Sequence, residues 1–307
     1  MYAVELADVS KRFGQHTAVD GLTLRVPGGS VYGFIGPNGS GKTTTLRMIM
    51  RILYPNTGEI QVLGENVVGK GAASDRVGYL PEERGLYRKM KVRDILRFFA
   101  ELKGMRNPKA DIDRWLERVG LPEWADKNID ALSKGMSQKV QFIAAVIARP
   151  ELIILDEPFT GLDPVNATLM RDVILELRQA GSTIILSTHD MSVAEKMCDS
   201  IFMIFKGKKV LDGSMDDIQA AYSTDTIRVR IDLNGRNLDD VPGIASVSDF
   251  GRYQELRVEE GFDTQVILGH LMERGRVRHF ELARPSLHDI FIRIAGPESV
   301  SEATEKE

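Results

Sequence analysis

The residues with the clearest chemistry form a glycine-rich run between an apolar strand and a helix. The run reads GPNGSGKTT and fits G-x-x-x-x-G-K-[ST], a loop whose backbone N–H groups turn inward around phosphate oxygens. The helix that follows adds its positive N-terminal end to the same site. Lys42 is placed to reach the β- and γ-phosphates, and the Thr43 hydroxyl to bind Mg²⁺. The predicted phosphate-binding residues are Gly36, Pro37, Asn38, Gly39, Ser40, Gly41, Lys42, Thr43 and Thr44.

Kinases, GTPases and several classes of ATPase share a phosphate loop, so the loop alone does not identify the reaction. A pair of carboxylates further along the chain favours hydrolysis. The apolar run Leu152–Leu155 ends in Asp156 and Glu157. At the tip of a buried strand, Asp156 is placed to hold Mg²⁺ and Glu157 to polarise the water that attacks the γ-phosphate. Two carboxylates at such a tip repel each other, and a bound cation offsets that repulsion. The pattern therefore predicts a nucleotide hydrolase that uses Mg²⁺.

Further motifs, in a fixed order, make the chain resemble the ATP-binding-cassette (ABC) ATPases. Residues Leu132–Met136 read LSKGM and occupy the place of the family's LSGGQ signature. Asp163 in GLDP matches the D-loop, His189 in STHD matches the switch histidine, and Phe13 matches the aromatic residue that stacks on adenine. The resemblance covers about residues 2–217. It implies an α/β fold, a P-loop NTPase cassette of the ABC type with a mixed sheet and a helical subdomain.

The resemblance also implies a mechanism that the residues alone do not give. ABC cassettes dimerise head to tail, so that one subunit's Lys42 loop and the other subunit's signature hold each ATP. The Ser133 hydroxyl and the backbone at Gly135 would bind the γ-phosphate across the interface. His189 would hydrogen-bond the same phosphate, and hydrolysis would open the dimer. The resemblance thus implies an ATPase in which Lys42, Glu157 and His189 are catalytic.

Two departures from the family pattern bear on the site. The signature has Lys134 where the family has its first glycine, and Met136 where it has glutamine. Because Ser133 and Gly135 remain, we expect the contact across the interface to survive. In the Q-loop, Glu82 stands where the family has glutamine, so it still offers Mg²⁺ an oxygen but adds a negative charge. We expect Glu82 to keep a metal-sensing role; the alternative is a solvated acidic turn.

Both departures resemble one export-associated branch that includes sodium-efflux and daunorubicin-type ATPase subunits. Its members carry no membrane spans and dock on separate membrane proteins. The resemblance implies a separate multi-span permease as partner, export as the direction, and a place on the inner face of the cell membrane. It also implies a second ABC ATPase subunit, with a homodimer favoured over a heterodimer. Candidates for a docking groove, or alternatively for the core of the helical insert, are Leu86, Tyr87, Met90, Val92, Ile95, Phe98 and Phe99.

These motifs need a framework of strands and helices, and 307 residues suggest two domains. Up to residue 217 strands alternate with helices, as in an α/β sheet with helices on its faces, and the pattern predicts a strand at Leu22–Val26 and a helix over Thr43–Leu53. A helical insert is expected at about residues 85–150. After about Gly213 the pattern changes to short alternating strands. Residues 218–296 are predicted as a small α+β C-terminal accessory domain that ends with a capping box at Ser286 and Asp289. Residues 297–307 are polar and acidic, and we expect a disordered tail.

Composition excludes several other classes. With 40 Lys and Arg against 44 Asp and Glu, the net charge of −4 argues against a general nucleic-acid binder, so no nucleic-acid partner is expected. The single cysteine excludes an intrachain disulfide and a cysteine-based zinc cluster. No apolar run approaches the ~18 residues of a membrane span, and no signal peptide is evident, so a cytoplasmic protein is expected.

Two other functions remain open at this point. The first is a soluble ABC ATPase that acts on ribosomes or DNA, although such proteins usually have two cassettes or a long coiled coil. The second is an ATP-binding regulatory module without turnover, against which Glu157 and His189 argue. The favoured prediction is an ABC transporter subunit that uses ATP hydrolysis to drive export.

Overall fold

A computed structural model describes residues 1–68, 73–83, 85–222, 226–233, 237–259, 261–283 and 285–296. The chain forms two compact units, Met1–Gly213 and a second unit that begins at Ser214. The domain boundary expected after residue 217 falls inside a helix, Met215–Tyr222. The expected acidic tail, residues 297–307, lies outside the described residues.

The first unit alternates strands and helices along most of its length. In chain order it contains β1 (Tyr2–Phe13), β2 (His16–Pro27), β3 (Val31–Ile35), α1 (Lys42–Ile49), β4 (Thr57–Val62), β5 (Glu65–Asn66), β6 (Val77–Leu80), α2 (Val92–Leu102), α3 (Lys109–Arg118), α4 (Lys134–Val146), β7 (Leu152–Asp156), α5 (Pro164–Gln179), β8 (Thr183–Thr188), α6 (Met191–Met197), β9 (Ser200–Phe205) and β10 (Lys208–Ser214). Short 3₁₀ turns lie before β6 and between α3 and α4. This arrangement confirms the predicted α/β class.

The central sheet has six strands in the order β10-β9-β3-β8-β7-β6. Strand β3 runs parallel to β8 and β9, and β7 runs parallel to β6 and β8. Every residue of β3, β7 and β8 is buried, as expected for parallel strands that are covered on both faces. Parallel strands end at the same edge of a sheet. The phosphate loop after β3, the carboxylates that end β7 and the residues after β8 therefore meet at one edge.

A second, four-stranded sheet in the order β2-β1-β4-β5 packs with α1 in one hydrophobic core. Its strand β2 is longer than the predicted Leu22–Val26. Helix α1, expected to reach Leu53, ends at Ile49. Its end is explained by Arg51, whose φ of 59° is left-handed and incompatible with a continuing helix.

The helical insert between β6 and β7 has its own core, formed mainly by one face each of α2, α3 and α4. Val92 and Ile95 are fully buried in this core, so for these two candidates the docking groove is wrong and the alternative, the core of the insert, is confirmed. Tyr87 and Phe98 are exposed instead, by 58% and 42%, and their rings meet edge to face. Only some of the candidate groove residues therefore lie at the surface of the insert.

The second unit is a small α+β structure. It contains α7 (Met215–Tyr222), β11 (Thr226–Leu233), β12 (Ile244–Asp249), β13 (Gln254–Val258), α8 (Thr264–Arg274), β14 (Gly275–Leu282) and α9 (Leu287–Ala295). The strands form an antiparallel sheet in the order β12-β13-β11-β14. The predicted capping box is present, since the Ser286 hydroxyl accepts from the N–H of Asp289 and the Asp289 carboxylate from that of Ser286.

Among the helices of the described ranges, none is both long enough and apolar enough to cross a bilayer.

Candidate functional site

The loop between β3 and α1 has the shape of a phosphate cradle. A Cβ at Gly36 would clash with the carbonyl oxygen of Ile204, and one at Gly41 would lie 2.5 Å from that of Ala18. Gly41 also has φ of 109°, a conformation that side chains rarely tolerate. The Ser40 hydroxyl is buried and has no hydrogen-bond partner among the described residues. A phosphate oxygen would supply the partner that this hydroxyl lacks.

Lys42 is folded back onto this loop. Its Nζ donates to the carbonyl oxygens of Gly36, at 2.6 Å, and Pro37, at 3.1 Å. Lys42 is only 6% exposed, and burial lowers the pKa of its ammonium, against the opposing effect of the carboxylates of Glu157, Asp156 and Glu82. The ammonium thus has two weak carbonyl partners that phosphate oxygens can replace.

Asp156 and Thr43 form the second part of the site. The Thr43 hydroxyl donates to Asp156 Oδ2 at 3.3 Å. Asp156 is 1% exposed, and burial raises the pKa of its carboxyl although nearby hydroxyls and Lys42 oppose the shift. A cation beside Asp156 would offset the cost of burying its charge.

This chemistry fits Mg²⁺. Among the described ranges, no three acidic, histidine or cysteine side chains lie close enough to hold a metal by themselves. Mg²⁺ does not need such a cage, because it is usually bound through one or two protein oxygens together with substrate phosphates and water. A hydroxyl and a buried carboxylate next to a phosphate loop meet that requirement.

Glu157, the residue after Asp156, is held by the end of β8. Its Oε1 accepts from the backbone N–H of His189 at 2.9 Å and lies 2.7 Å from His189 Nδ1. Its Oε2 accepts from the Thr188 hydroxyl at 3.3 Å. Glu157 has φ of 51°, an uncommon value for a residue with a side chain, so its surroundings must fix this conformation. The carboxylate is thereby aimed by neighbours that lie more than 30 residues away in the chain.

Most of the predicted nucleotide-binding residues, together with Glu82, Asp156 and Glu157, line one open cleft of about 440 Å³. The predicted residues Gly36, Pro37, Ser40 and His189 are not part of its lining. Phe13, at its rim, is 48% exposed, with the Lys11 ammonium 5.4 Å from the ring centroid. Glu82 also lines the cleft and its side chain is exposed. The lining residues are Phe13, His16, Ala18, Asn38, Gly39, Gly41, Lys42, Thr43, Thr44, Glu82, Asp156 and Glu157.

Two contributors were missed by sequence reasoning. His16 was not among the predicted site residues, yet it lines the cleft together with Phe13. His16 begins β2, directly after the turn that follows Phe13, and this closeness in sequence to Phe13 could have indicated that it lies at the same cleft. Thr188 was noted only as part of a motif, and nothing in its spacing indicated that it would contact Glu157.

The signature lies elsewhere in the chain. Ser133 caps α4 by accepting from the N–H of Met136 at 3.2 Å, and neither Ser133 nor Gly135 lines the cleft. Lys134, the first departure from the signature, lies with its aliphatic stem across Gly161, where a Cβ would come 2.8 Å from Lys134 Cε.

Asp163 caps α5 by accepting from the backbone N–H groups of Val165 and Asn166, each at 3.0 Å. The hydrogen bond from Asn166 is the main cause of the lowered pKa of its carboxyl. One chain therefore brings together the phosphate loop, the two strand-end carboxylates and His189. It leaves the signature at a separate helix terminus.

Comparison with known proteins gives a consistent result for both units. The family described as "ABC transporter" matches residues 19–160. The family described as "ATP-binding protein DrrA1-3-like, C-terminal domain" matches residues 213–295.

Full-length relatives and a solved structure agree with these matches. The ABC transporter ATP-binding protein YhaQ of Bacillus subtilis is 42% identical, with 94% of this chain and 97% of the relative covered. The Nod factor export ATP-binding protein I of Burkholderia lata is 33% identical, with 96% and 97% covered. The solved structure of an ATP-binding subunit of an ABC transporter superposes with a TM-score of 0.68 and 30% identity, covering 72% of this chain and 93% of that one.

Proposed function

Because this chain belongs to the ATP-binding proteins of ABC transporters, which bind and hydrolyse ATP, we propose that it drives export through a separate permease as half of a head-to-tail dimer. The observation that carries the proposal is the incomplete cleft. The cleft has Lys42 and Glu157 in its lining but lacks Ser133 and Gly135 of the signature. A second copy of the cassette would supply them.

ATP binding begins at the loop. Lys42 exchanges the carbonyl oxygens of Gly36 and Pro37 for oxygens of the β- and γ-phosphates, which are stronger partners because the bonds join opposite charges. The Ser40 hydroxyl and the loop N–H groups donate to the same phosphates. Phe13, half-exposed at the rim, stacks on the adenine ring.

The oxygens of Thr43 and Asp156 would hold Mg²⁺, and Glu82 lines the same cleft. When bound, Mg²⁺ neutralises charge on the β- and γ-phosphates. Glu157 then accepts a proton from the attacking water, since its carboxylate is fixed at the strand end. The His189 ring, whose Nδ1 contacts Glu157 Oε1 in this structure, turns to donate to the γ-phosphate.

The dimer follows from the position of the signature. Ser133 and the backbone at Gly135 lie at the N-terminus of α4, where N–H groups and the helix dipole favour an anion. In the dimer, this terminus binds the γ-phosphate held by the other copy's Lys42. Loss of that phosphate removes the bridge and opens the interface. Because Ser133, Glu157 and His189 are all present, a homodimer has two competent sites.

ATP-binding subunits of this family work with membrane permease subunits. The exposed side chains of Tyr87, Phe98 and Leu102 form an apolar patch on the insert, and we propose that a cytoplasmic helix of the permease covers it. The subunit would then lie on the inner face of the cell membrane. The direction, export, is supported by the name of the Nod factor export relative.

The proposal is tested by recovering the complex from membranes. A tagged Glu157→Gln chain is expressed in its own host, held in ATP and Mg²⁺, and purified in mild detergent. We expect a multi-span protein in stoichiometric amount. A Phe98→Asp substitution should abolish that recovery with ATP binding intact, whereas Ile52→Asp, at another exposed apolar residue outside the insert, should not. Recovery with ribosomes or DNA from the soluble fraction would instead support the non-transport alternative.

Replacing Glu82 with Gln tests its metal-sensing role. We expect the Mg²⁺ concentration for half-maximal turnover to rise by about threefold to tenfold, because an amide oxygen is a weaker ligand than a carboxylate. We also expect ATP to bind more tightly in EDTA, since one negative charge has left the cleft. Titration of turnover with Mg²⁺ and of ATP binding in EDTA measures both effects. Glu83→Gln, at the exposed neighbouring residue, is the control, and unchanged values in Glu82→Gln would mean that the charge is irrelevant.

A further inference from the structure

Thr188 occupies a position between two functional segments. Its side chain is buried, and its hydroxyl makes two hydrogen bonds at once. The hydroxyl donates to Glu157 Oε2 at 3.3 Å and accepts from the backbone N–H of Asp190 at 3.0 Å. Asp190 in turn caps α6 by accepting from the N–H groups of Ser192 and Val193. Thr188 thus joins the carboxylate at the end of β7 to the start of α6.

In the proposed reaction cycle, the contact of Glu157 with the His189 ring is broken, whereas its other hydrogen bonds can persist. The His189 side chain is 53% exposed, and in the proposed mechanism its ring leaves Glu157 Oε1, which lies 2.7 Å from Nδ1, to donate to the γ-phosphate. When the ring turns away, Oε1 keeps the backbone N–H of His189, and Oε2 keeps the hydroxyl of Thr188. Glu157 has two described bonds to other side chains, and the one from Thr188 does not depend on where the His189 ring lies.

We propose that Thr188 is a positioning residue for hydrolysis, which holds the Glu157 carboxylate in the orientation needed to accept a proton from water after His189 has turned to the phosphate. The backbone of Glu157, at φ of 51°, sets the direction in which its side chain leaves the strand. The hydroxyl of Thr188 sets the rotation of the carboxylate about that direction. This role rests on the proposed assignment of Glu157 as the general base.

The first test compares Thr188→Val with Thr188→Ser. Valine keeps the shape of threonine but cannot donate or accept, whereas serine keeps the hydroxyl. We expect Thr188→Val to lower kcat about tenfold, the effect of one lost positioning bond, with KM and ATP affinity within about twofold of wild type. Thr188→Ser should recover most of kcat. A purely structural role would lower ATP affinity and folded yield along with kcat.

Thr183→Val is the matched control. Thr183 lies on the same strand, is 4% exposed, and its hydroxyl accepts from the N–H of Gly29 at 2.9 Å. It is about 17 Å from Thr188 along the strand, at five residues of ~3.3 Å each. We expect this variant to lose a buried hydrogen bond and keep kcat. An equal loss of kcat in Thr183→Val would overturn the proposal, as would wild-type kcat in Thr188→Val.

A double-mutant cycle separates this inference from the function on which it rests. If Thr188 acts through Glu157, Thr188→Val should lower single-turnover hydrolysis no further once Glu157 is Gln. If the losses of single-turnover rate from the two substitutions instead multiply in the double variant, Thr188 does not act through Glu157. Wild-type turnover in Glu157→Gln alone would instead refute the assignment of the general base.

Discussion

Replacing Glu157 with Gln is expected to lower ATP turnover by about 10²–10⁴-fold, the usual contribution of a positioned general base. Gln keeps an oxygen that can accept from Thr188 or from the N–H of His189, so the fold at this strand end should persist. ATP affinity should change little, because Lys42 and the loop, rather than Glu157, hold the phosphates. Steady-state turnover and ATP binding by titration measure the two quantities.

The same variant should accumulate as an ATP-bound dimer. If γ-phosphate bridges Lys42 of one copy and Ser133 of the other, a chain that cannot remove it should stay closed. Light scattering after gel filtration in ATP and Mg²⁺ should give twice the monomer mass for Glu157→Gln and the monomer mass in ADP.

Glu151→Gln is the control, because Glu151 precedes the other end of β7 and pairs with Arg76 at the surface. It should turn over ATP as wild type does. A monomeric Glu157→Gln chain in ATP and Mg²⁺ would argue against the composite site, and turnover near the wild-type rate would remove Glu157 from the mechanism.

The part of the fold that sequence predicts well is the part whose burial is complete. Strands β7 and β8 have both faces covered, so their sequences are largely apolar: β7 has four apolar residues before Asp156, and β8 has three before Ser187 and Thr188. The antiparallel sheet is different. The pairing of β1 with β2 has several register shifts, which interrupt the alternation of apolar and polar residues. Only the regular stretch around Leu22–Val26 was predicted there.

The candidate site also has a part that can be predicted from the sequence and a part that cannot. The phosphate loop is predictable because its chemistry depends on residues that are adjacent in the chain, and its glycines have no substitute at Gly36 and Gly41. The environment of Glu157 is not predictable, because it depends on β7 lying beside β8, which brings together residues separated by 31 positions. The carbonyl partners of Lys42 were equally unpredictable, since they arise from the three-dimensional fold of the loop.

Replacing Lys42 with Met is expected to weaken ATP binding by at least about 100-fold. The ammonium is a buried cation in the lining of the cleft, and each of its hydrogen bonds to the β- and γ-phosphates should contribute about 1.5–3 kcal/mol, so the loss of both exceeds about 3 kcal/mol. Titration of ATP binding measures the loss, and turnover should fall with it. Lys103→Met is a suitable control. Lys103 also donates to a backbone carbonyl, that of Val77 at 3.1 Å, and burial also lowers its pKa, but it does not line the cleft.

Folding stability should respond to Lys42→Met in the opposite direction from ATP affinity. Burial lowers the pKa of Lys42, so at pH values below the unfolded pKa of this group the buried ammonium destabilises the folded state relative to the unfolded one. Met fills the same space without a charge, and the melting temperature without nucleotide should therefore stay equal or rise. The increase in melting temperature that ATP gives to the wild-type chain should disappear. A large fall in the melting temperature without nucleotide would mean that Lys42 supports the loop itself, and that its loss of ATP binding reports unfolding of the cradle rather than the missing charge.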